Sequence, residues 1–471
     1  MSFSKFIPNV SLSVQDSELY HHFIVNFIPT ISLPHSHPLL SPVHIWGQMG
    51  KQSQILADIF LCCGASYLSC AYKLLPEAAD LSSHYEDLAE RKYHQALKSL
   101  GTAINMKQVD IDSDWLIVAG LTLCLRDRAY GLNGSRCAKH LTFVYNLLQR
   151  RYSQKSLTAA SYQDPTYNLD GVLEVNSPQK INLYNSLITP TEKLLMDSFV
   201  FNYSATLLSC SKLDLMTLPS PYGFFPKIKE WLNCPIYQDC DVAWMNNPVL
   251  GSALESFEVS AKLTWLSRLH FEVGNEKVVD KDSELYMDSE RFWSMILPLK
   301  DELQVIDKKL ELYKLELDPL RYSKAHIISY DDLRSNLAVA IIVLNSAKIM
   351  LEKYINPKVP SFLPCVQDPV NAAFRELEHA PLGNSSASLS AISLFILGTA
   401  TKEASRRDFL ANILKEFSVA LASNVGSNIL RILTGAWEKE DFDKNVLNLG
   451  DQGYKSFDLL FDRESIEQLA F

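Results

Sequence analysis

Apolar residues recur every three or four positions over long segments of this chain, which is the spacing of one face of an α-helix. Residues 53–72 are apolar on two sides and residues 331–354 are strongly apolar, as expected for helices in a core. Further helices are predicted at residues 19–28, 85–100, 115–125, 138–149, 192–210, 250–269 and 296–317. The pattern predicts an all-α protein, a large bundle of antiparallel helical hairpins.

Proline and polar residues mark the predicted connections between these helices. The first helix is expected to stop at Pro29, and the proline-rich stretch 219–226 is expected to form a connector. Residues 152–190 mix Ser, Thr, Asn, Asp and Pro without a sustained period, which predicts a long loop or weakly ordered linker. The expected parts are an N-terminal helical part at 1–151, the linker at 152–190 and a C-terminal helical part at 191–471.

A heptad-like seam runs through residues 296–317, where apolar residues alternate steps of three and four. Its members are Ile296, Leu299, Leu303, Ile306, Leu310, Tyr313 and Leu317. The seam spans only about three heptads, so packing inside a bundle is favoured over an oligomer contact, and both interpretations stay open.

Composition agrees with a helical, intracellular protein. The 471 residues are 47% hydrophobic with only 17 glycines, fewer than a strand-rich chain with many turns needs. A formal charge of −10 argues against direct contact with a phosphate backbone. The first residues lack the pattern of a signal peptide, and no window approaches the roughly 18 apolar residues needed to cross a bilayer. We therefore expect a soluble chain without a membrane partner.

The nine cysteines form no Cys-x2-Cys pair, so they predict reduced, buried thiols and no zinc cluster. They are Cys62, Cys63, Cys70, Cys124, Cys137, Cys210, Cys234, Cys240 and Cys365. The pair Cys234 and Cys240 lacks matching partners, and His35-x-His37 lacks nearby acidic or thiolate ligands before Asp58 and Cys62. No metal and no cofactor are predicted.

Catalytic motifs are absent from the sequence. There is no Gly-x-Ser-x-Gly elbow, no Walker-type loop and no Gly-x-Gly-x-x-Gly fingerprint. The acidic pair Asp331 and Asp332 is expected to cap a helix. Basic clusters at 126–128, 149–151 and 405–407 could each touch phosphate, but the first two suit helix C-termini. We predict no enzyme, no catalytic residues and no named ligand-binding residues.

The order of the helices and their local residues resembles the effector domain of fungal-specific transcription factors, in the branch of activators of GABA and arginine metabolism. The N-terminal matches are Tyr20-His21-His22-Phe23, Ser53-Gln54-Ile55-Leu56-Ala57-Asp58-Ile59, Gly64-Ala65-Ser66-Tyr67-Leu68, Tyr93-His94-Gln95-Ala96-Leu97-Lys98-Ser99-Leu100, Trp115-Leu116-Ile117-Val118-Ala119-Gly120-Leu121 and Ala138-Lys139-His140-Leu141. The later matches are Asn247-Pro248-Val249-Leu250-Gly251, Ser393-Leu394-Phe395-Ile396-Leu397-Gly398-Thr399-Ala400, Arg406-Arg407-Asp408-Phe409, Val425-Gly426-Ser427-Asn428 and Ala436-Trp437.

The resemblance implies a regulator of RNA polymerase II genes that is nuclear, at least part of the time, and often dimeric. It implies protein partners in the transcription machinery and leaves open whether a small metabolite acts as an effector. Members of this family usually begin with a six-cysteine zinc cluster, whereas residues 1–41 contain no cysteine. DNA contact is therefore expected only through a missing zinc-cluster segment or through a partner.

Two functions from different classes remain open at this point. In the first, a metabolite or protein partner binds an apolar cleft between helices, with candidate walls at residues 392–400 and 339–344. In the second, the chain is a non-catalytic helical scaffold or dimerisation subunit of a DNA-associated assembly.

Overall fold

The computed structural model describes residues 13–50, 52–130, 134–161, 188–273, 283–322, 327–380, 385–447 and 453–469. These residues form helices and connections without a strand, so the all-α prediction is confirmed. The N-terminal α-helices are α1 Val14–His22, α2 Ile28–Ile31, α3 Pro42–Met49, α4 Gln54–Lys73, α5 Ala79–Asn105, α6 Asp114–Ala129 and α7 Gly134–Ser161. The middle helices are α8 Pro190–Ser209, α9 Lys212–Leu215, α10 Pro221–Leu232, α11 Leu254–Arg268, α12 Ser289–Ile296 and α13 Pro298–Leu317. The last are α14 Tyr330–Ile355, α15 Pro364–Leu377, α16 Ala391–Ala400, α17 Ala404–Ala420, α18 Val425–Asn445 and α19 Arg463–Glu467.

Side-chain caps fix the beginnings of several helices. Thr189 and Glu192 form a capping box at α8, in which the backbone N–H of Glu192 donates to Thr189 Oγ1 at 3.2 Å. Ser329 Oγ accepts from the N–H of Asp332 at 3.1 Å at the start of α14. Asp332 therefore lies in the first turn of the helix, where a carboxylate favours the exposed amide groups.

Helical hairpins build both parts of the chain. In the N-terminal part α4 packs on α5, and α6 packs on α7. Helix α1 approaches α4 at Gly64, where an added Cβ would lie 2.1 Å from the carbonyl oxygen of Leu19. In the C-terminal part α14 is the central helix and contacts α11, α13, α15 and α16. The predicted bundle of hairpins is therefore the architecture that the structure shows.

The heptad-like seam is used for packing inside the protein. Ile296 ends α12, and the five leucine and isoleucine positions of the seam within α13 are at most 4% exposed. They face α14 and α11, with Tyr313 half-buried beside them. The interpretation as internal packing is confirmed for this face of α13.

Buried hydrogen bonds join the segment 249–252 to α8 and to α14. Asp197 of α8 accepts hydrogen bonds from the N–H groups of Val249 and Leu250 at 2.7 and 3.0 Å. Asn336 of α14 accepts from the N–H of Ser252 at 2.9 Å, and Gly251 takes a φ of +56° between these contacts. Glycine is required at position 251 because a Cβ would lie 2.4 Å from Asn336 Oδ1 and 2.5 Å from His35 Nε2.

Two proline-based predictions were wrong. Helix α2 passes through Pro29 as far as Ile31, after a π-helical turn at Phe23–Phe27. The stretch expected to be a connector contains α10, which begins at Pro221 and includes Pro226. Pro221 suits the first helical turn because its missing N–H has no partner there. Pro226 cannot donate a backbone hydrogen bond to the helix. The free energy gained by burying Phe224, Phe225 and Ile228 outweighs the loss of this bond.

The boundary of the predicted linker also differs from the structure. Helix α7 runs ten residues beyond residue 151, to Ser161, and this stretch contains neither proline nor glycine to break it. Helix α8 begins at Pro190, at the last residue of the predicted linker. Residues 162–187 of the predicted linker lie outside the described residues.

Two helices among the described residues are long and apolar enough to cross a membrane, contrary to the expectation from the sequence. In α4 and α14 the apolar windows are 72% and 89% buried inside the protein. Core helices of a soluble bundle pass the same length and composition test, which makes this weak evidence for a membrane segment.

Candidate ligand-binding cavity

Helix α6 carries two buried arginines in its last turn, and their surroundings differ sharply. Positions 126 and 128 are two residues apart, so their side chains leave the helix on roughly opposite faces. Arg126 is 1% exposed and Arg128 is 9% exposed. The sequence explains both as cations that complement a helix C-terminus, but only Arg126 has counter-charges beside it.

Arg126 belongs to a closed ion-pair network between α4, α5 and α6. Its Nη1 donates to Asp127 Oδ1 at 2.8 Å, its Nη2 donates to Glu90 Oε1 at 2.5 Å and its Nε donates to Ser66 Oγ at 3.1 Å. The ring of Tyr93 lies 4.5 Å from the guanidinium carbon. Each of the three guanidinium nitrogens of Arg126 therefore donates a hydrogen bond, as a buried charge requires.

Asp127 completes the same network on its other oxygen. Tyr93 donates its hydroxyl to Asp127 Oδ2 at 3.2 Å, and His140 Nε2 lies 3.2 Å from the same atom. Burial alone would raise the pKa of Asp127, but the hydrogen bond from His140 and the charge of Arg126 outweigh it and hold the pKa below its ordinary value. The cluster is a structural polar core that keeps Asp127 ionised.

Arg128 has no such network. Its guanidinium carbon lies 4.2 Å above the ring of Phe201, and its Nη1 is buried without a hydrogen-bond partner. Among the described residues no carboxylate forms an ion pair with it. Burial lowers the pKa of Arg128, yet the ordinary pKa of arginine lies so far above neutrality that the side chain remains a cation at neutral pH.

Two adjoining cavities share Arg128 in their walls. The first has an empty volume of about 610 Å³ with its mouth included, of which the centre of a water molecule can reach about 50 Å³. The second has an empty volume of about 350 Å³. Ile31, Leu125 and Ser388 lie with Arg128 in both walls. The guanidinium therefore stands between two small, mainly apolar spaces.

The first cavity lies where the N-terminal helices meet the C-terminal segment. Phe27, Ser66 and Tyr130 contribute from the N-terminal side, and the turn between α17 and α18 contributes from the other side. Its apolar wall residues include Phe27, Ile31, Leu125, Ala391, Phe417, Leu421 and Val425. Burial raises the pKa of the Tyr130 hydroxyl well above its ordinary value, so this polar group stays neutral.

The turn between α17 and α18 is fastened to the end of α6. Ser423 Oγ donates to the carbonyl oxygen of Ala129 at 2.8 Å, and Asn424 Nδ2 donates to that of Tyr130 at 3.0 Å. Ala422, in the cavity wall, has a φ of +44°, a left-handed conformation that costs a residue with a Cβ about 1 kcal/mol. The turn is thus held in one strained shape by its contacts with α6.

Beside this turn, Trp437 and Arg407 hold α16, α17 and α18 together, and we call these contacts the clamp. Trp437 Nε1 donates to the carbonyl oxygen of Gly398 at 3.0 Å, and Arg407 Nε donates to that of Thr401 at 3.0 Å. Arg407 also pairs with Glu440 at 2.5 Å, so it is a packing residue and not a free phosphate contact. Arg406 donates to Asn371 Oδ1 at 2.6 Å.

The expected walls of a ligand cleft do not line either cavity described here. Residues 339–344 of α14 and 392–400 of α16 are mostly buried, and the two helices contact each other. The first cavity instead touches the residues just before this stretch, Ser388 and Ala391. Nothing in the sequence singles out Arg128 as a polar group in the wall of both cavities.

The remaining candidate residues from the sequence are placed in ordinary structural roles. His35 Nε2 lies 3.0 Å from the carbonyl oxygen of Asn247 and donates to it, and His37 stacks on Tyr237 with ring centres 3.9 Å apart. Cys234 and Cys240 are not joined by a disulfide bond, and burial raises the pKa of Cys240 to about 11. Within the described ranges no three His, Cys, Asp or Glu side chains are grouped to hold a metal ion.

Comparison with known families identifies one part of the chain. Residues 278–455 match the family model described as the fungal specific transcription factor domain. The matched range contains the α17–α18 turn, the clamp and the C-terminal wall of the first cavity. No curated protein and no solved structure matches the chain.

Proposed function

We propose that this chain, which carries a fungal specific transcription factor domain at residues 278–455, regulates transcription by RNA polymerase II in response to a small metabolite. The family match supports a regulatory role in transcription and, with it, a role in the nucleus. The cavity at Arg128 supports the metabolite, because a small apolar space with a few unpaired polar groups, here Arg128 Nη1 and the Tyr130 hydroxyl, is the usual form of a ligand site.

The location of the cavity supports regulation through a shift between two arrangements. Its walls come from α6 on one side and from the matched segment on the other. A ligand that contacts both sides would favour the arrangement in which they are together. Protein partners in the transcription machinery would then respond to the position of the matched segment.

Direct DNA binding is not part of the proposed role of these residues. The net charge of −10 is unfavourable for contact with a phosphate backbone. We propose that DNA is reached through a zinc-cluster segment outside this sequence or through a partner protein.

A reporter assay tests the proposal. The chain is fused to a heterologous DNA-binding module, and a reporter gene under the matching sites is measured with and without candidate metabolites. The matched control is the DNA-binding module alone. A reporter that the fusion changes beyond the control supports a regulatory role, whereas equal output under every growth condition tried contradicts it.

A helical scaffold is the second candidate, and one surface favours it. Helix α13 exposes an apolar stripe on the side away from its buried seam, with Val305, Leu312 and Leu315 exposed by 66, 58 and 65%. Such a stripe suits a dimer contact. Light scattering of the wild type and of the Leu312→Glu variant tests it: a dimer lost in the variant favours the scaffold, and a monomer in both excludes this contact.

A further inference from the structure

We infer that the cavity at Arg128 binds a small monocarboxylic acid with an apolar body, whose carboxylate pairs with the Arg128 guanidinium. This inference deepens the proposed function and rests on it only for the regulatory consequence. The binding itself is a property of the folded chain and can be measured without transcription.

The first step is the charge of Arg128. A cation taken out of water loses its hydration, and the cost is recovered only by a counter-charge or by hydrogen bonds to its N–H groups. Arg126, two residues away, recovers it through Glu90 and Asp127. Arg128 has the ring of Phe201 on one face and an orphaned Nη1, with no described carboxylate in range. The missing component is an anion.

The second step is the kind of anion. A guanidinium presents N–H donors in a planar fork that matches the two oxygens of a carboxylate. A phosphate dianion would bring two negative charges to a site with one cation, and the second charge would be left unpaired in a mainly apolar wall. The single cation at this site therefore favours a monoanion over a phosphate.

The third step is the body of the ligand. The walls next to Arg128 are formed by Phe27, Ile31 and Leu125 on one side and by Phe417 and Leu421 on the other. The space that a water molecule's centre can reach is about 50 Å³, which suits a short aliphatic acid better than a sterol. A ligand anchored at Arg128 would touch both α2 and the end of α17, the two sides that the cavity separates.

Arg128→Met gives a test that separates a ligand site from a structural role. Methionine has a similar length without the charge, and removing an unpaired buried cation is expected to leave the melting temperature of the unliganded chain unchanged or to raise it. If Arg128 were kept for packing on Phe201, the same change would lower the melting temperature. The control is Arg91→Met, because Arg91 is exposed on α5.

Hexanoate is the probe, and hexanamide and inorganic phosphate are the comparison compounds at equal ionic strength. Purified wild-type chain is expected to show a saturable rise in melting temperature of about 2 °C with hexanoate at a hundred-fold excess over its Kd. The same shift is expected in Arg91→Met and is expected to be absent in Arg128→Met. Isothermal titration calorimetry should show at least a ten-fold weaker Kd for hexanoate in Arg128→Met than in the wild type.

Besides a lowered melting temperature of unliganded Arg128→Met, three results would overturn the inference. The first is a shift with hexanamide as large as that with hexanoate, and the second is a hexanoate shift that persists in Arg128→Met. The third is a lack of binding for the straight-chain acids from butanoate to octanoate in calorimetry. If the chain binds hexanoate but leaves the reporter silent, the proposed function is contradicted and this inference stands. If the reporter is active but no acid binds, this inference is contradicted and the proposed regulatory role stands.

Discussion

The hydroxyl of Ser423 donates a hydrogen bond of 2.8 Å to the carbonyl oxygen of Ala129, 294 residues earlier in the chain. Ala129 is the last residue of α6, so its carbonyl has no partner within the helix. Ser423 lies in the turn between α17 and α18, inside the segment that matches the transcription factor domain. A long-range contact thus closes a helix end and joins the N-terminal helices to the matched segment.

Ser423→Ala removes this contact and tests the connection between the two parts. The carbonyl of Ala129 still accepts from the N–H of Asn424 at 3.0 Å, so the loss should be limited to about 1 kcal/mol of unfolding free energy. Urea denaturation followed by circular dichroism measures it. Ser405→Ala, at an exposed position of α17, serves as the control and should change the stability by less than about 0.5 kcal/mol. Equal effects of the two changes would show that the contact contributes nothing.

Gly398→Ala tests the close approach of α16 and α18. An added Cβ would lie 2.3 Å from Leu433 Cδ1, and Leu433 is fully buried, so its side chain has little room to move away. We expect a loss of about 1–3 kcal/mol in unfolding free energy, measured by denaturant titration. Gly435→Ala on α18 is the control, since nothing lies within 4 Å of its added Cβ, and it should stabilise the helix by up to about 1 kcal/mol.

A double variant makes the cause of this loss explicit. The double variant Gly398→Ala with Leu433→Ala lacks the clash. Its loss of unfolding free energy should therefore be smaller than the sum of the losses in the two single variants, by at least about 0.5 kcal/mol. Strictly additive effects would mean that the Gly398 Cβ and the Leu433 side chain do not meet.

The helices could be predicted from the sequence because their apolar faces are repeated over many turns. An error at a single residue therefore does not alter the predicted helix. It was insufficient at Pro226, where the helix depends on burial of Phe224 and Phe225 against distant residues. It was also insufficient at Arg128. Arg126 and Arg128 look alike in the sequence, and only the packing of α6 decides that one meets Glu90 while the other meets the ring of Phe201. The candidate cavity could not be predicted for the same reason.

Gly251→Ala is expected to be strongly destabilising. Residue 251 has a φ of +56°, and its added Cβ would meet Asn336 Oδ1 at 2.4 Å and His35 Nε2 at 2.5 Å, two buried groups that already bond elsewhere. The left-handed conformation costs about 1 kcal/mol, and displacing the two polar side chains adds the larger part, for a total of about 3 kcal/mol or more. Thermal unfolding should show a large decrease in melting temperature, whereas Gly101→Ala, with nothing within 4 Å, should not.

His35 should make the stability of the protein depend on pH below neutrality. Burial lowers the pKa of His35 to about 4, whereas a histidine in the unfolded chain titrates near 6.5. Between these values the unfolded chain binds a proton that the folded chain does not, so the free energy of unfolding falls as the pH is lowered from about 6.5 to about 4. Over the full window the contribution is about 3 kcal/mol.

The comparison of wild type with His35→Gln isolates this contribution. Glutamine retains an N–H donor for the carbonyl of Asn247 but does not titrate. Asp197 acts in the opposite direction, because burial raises its pKa to about 6 and its protonation on folding favours the folded state as the pH falls, but this effect is present in both proteins and cancels. Urea denaturation at pH 7, 5.5 and 4.5 should therefore show the wild type losing stability relative to His35→Gln as the pH falls. A constant difference across the three pH values would mean that His35 takes up its proton equally well in the folded protein.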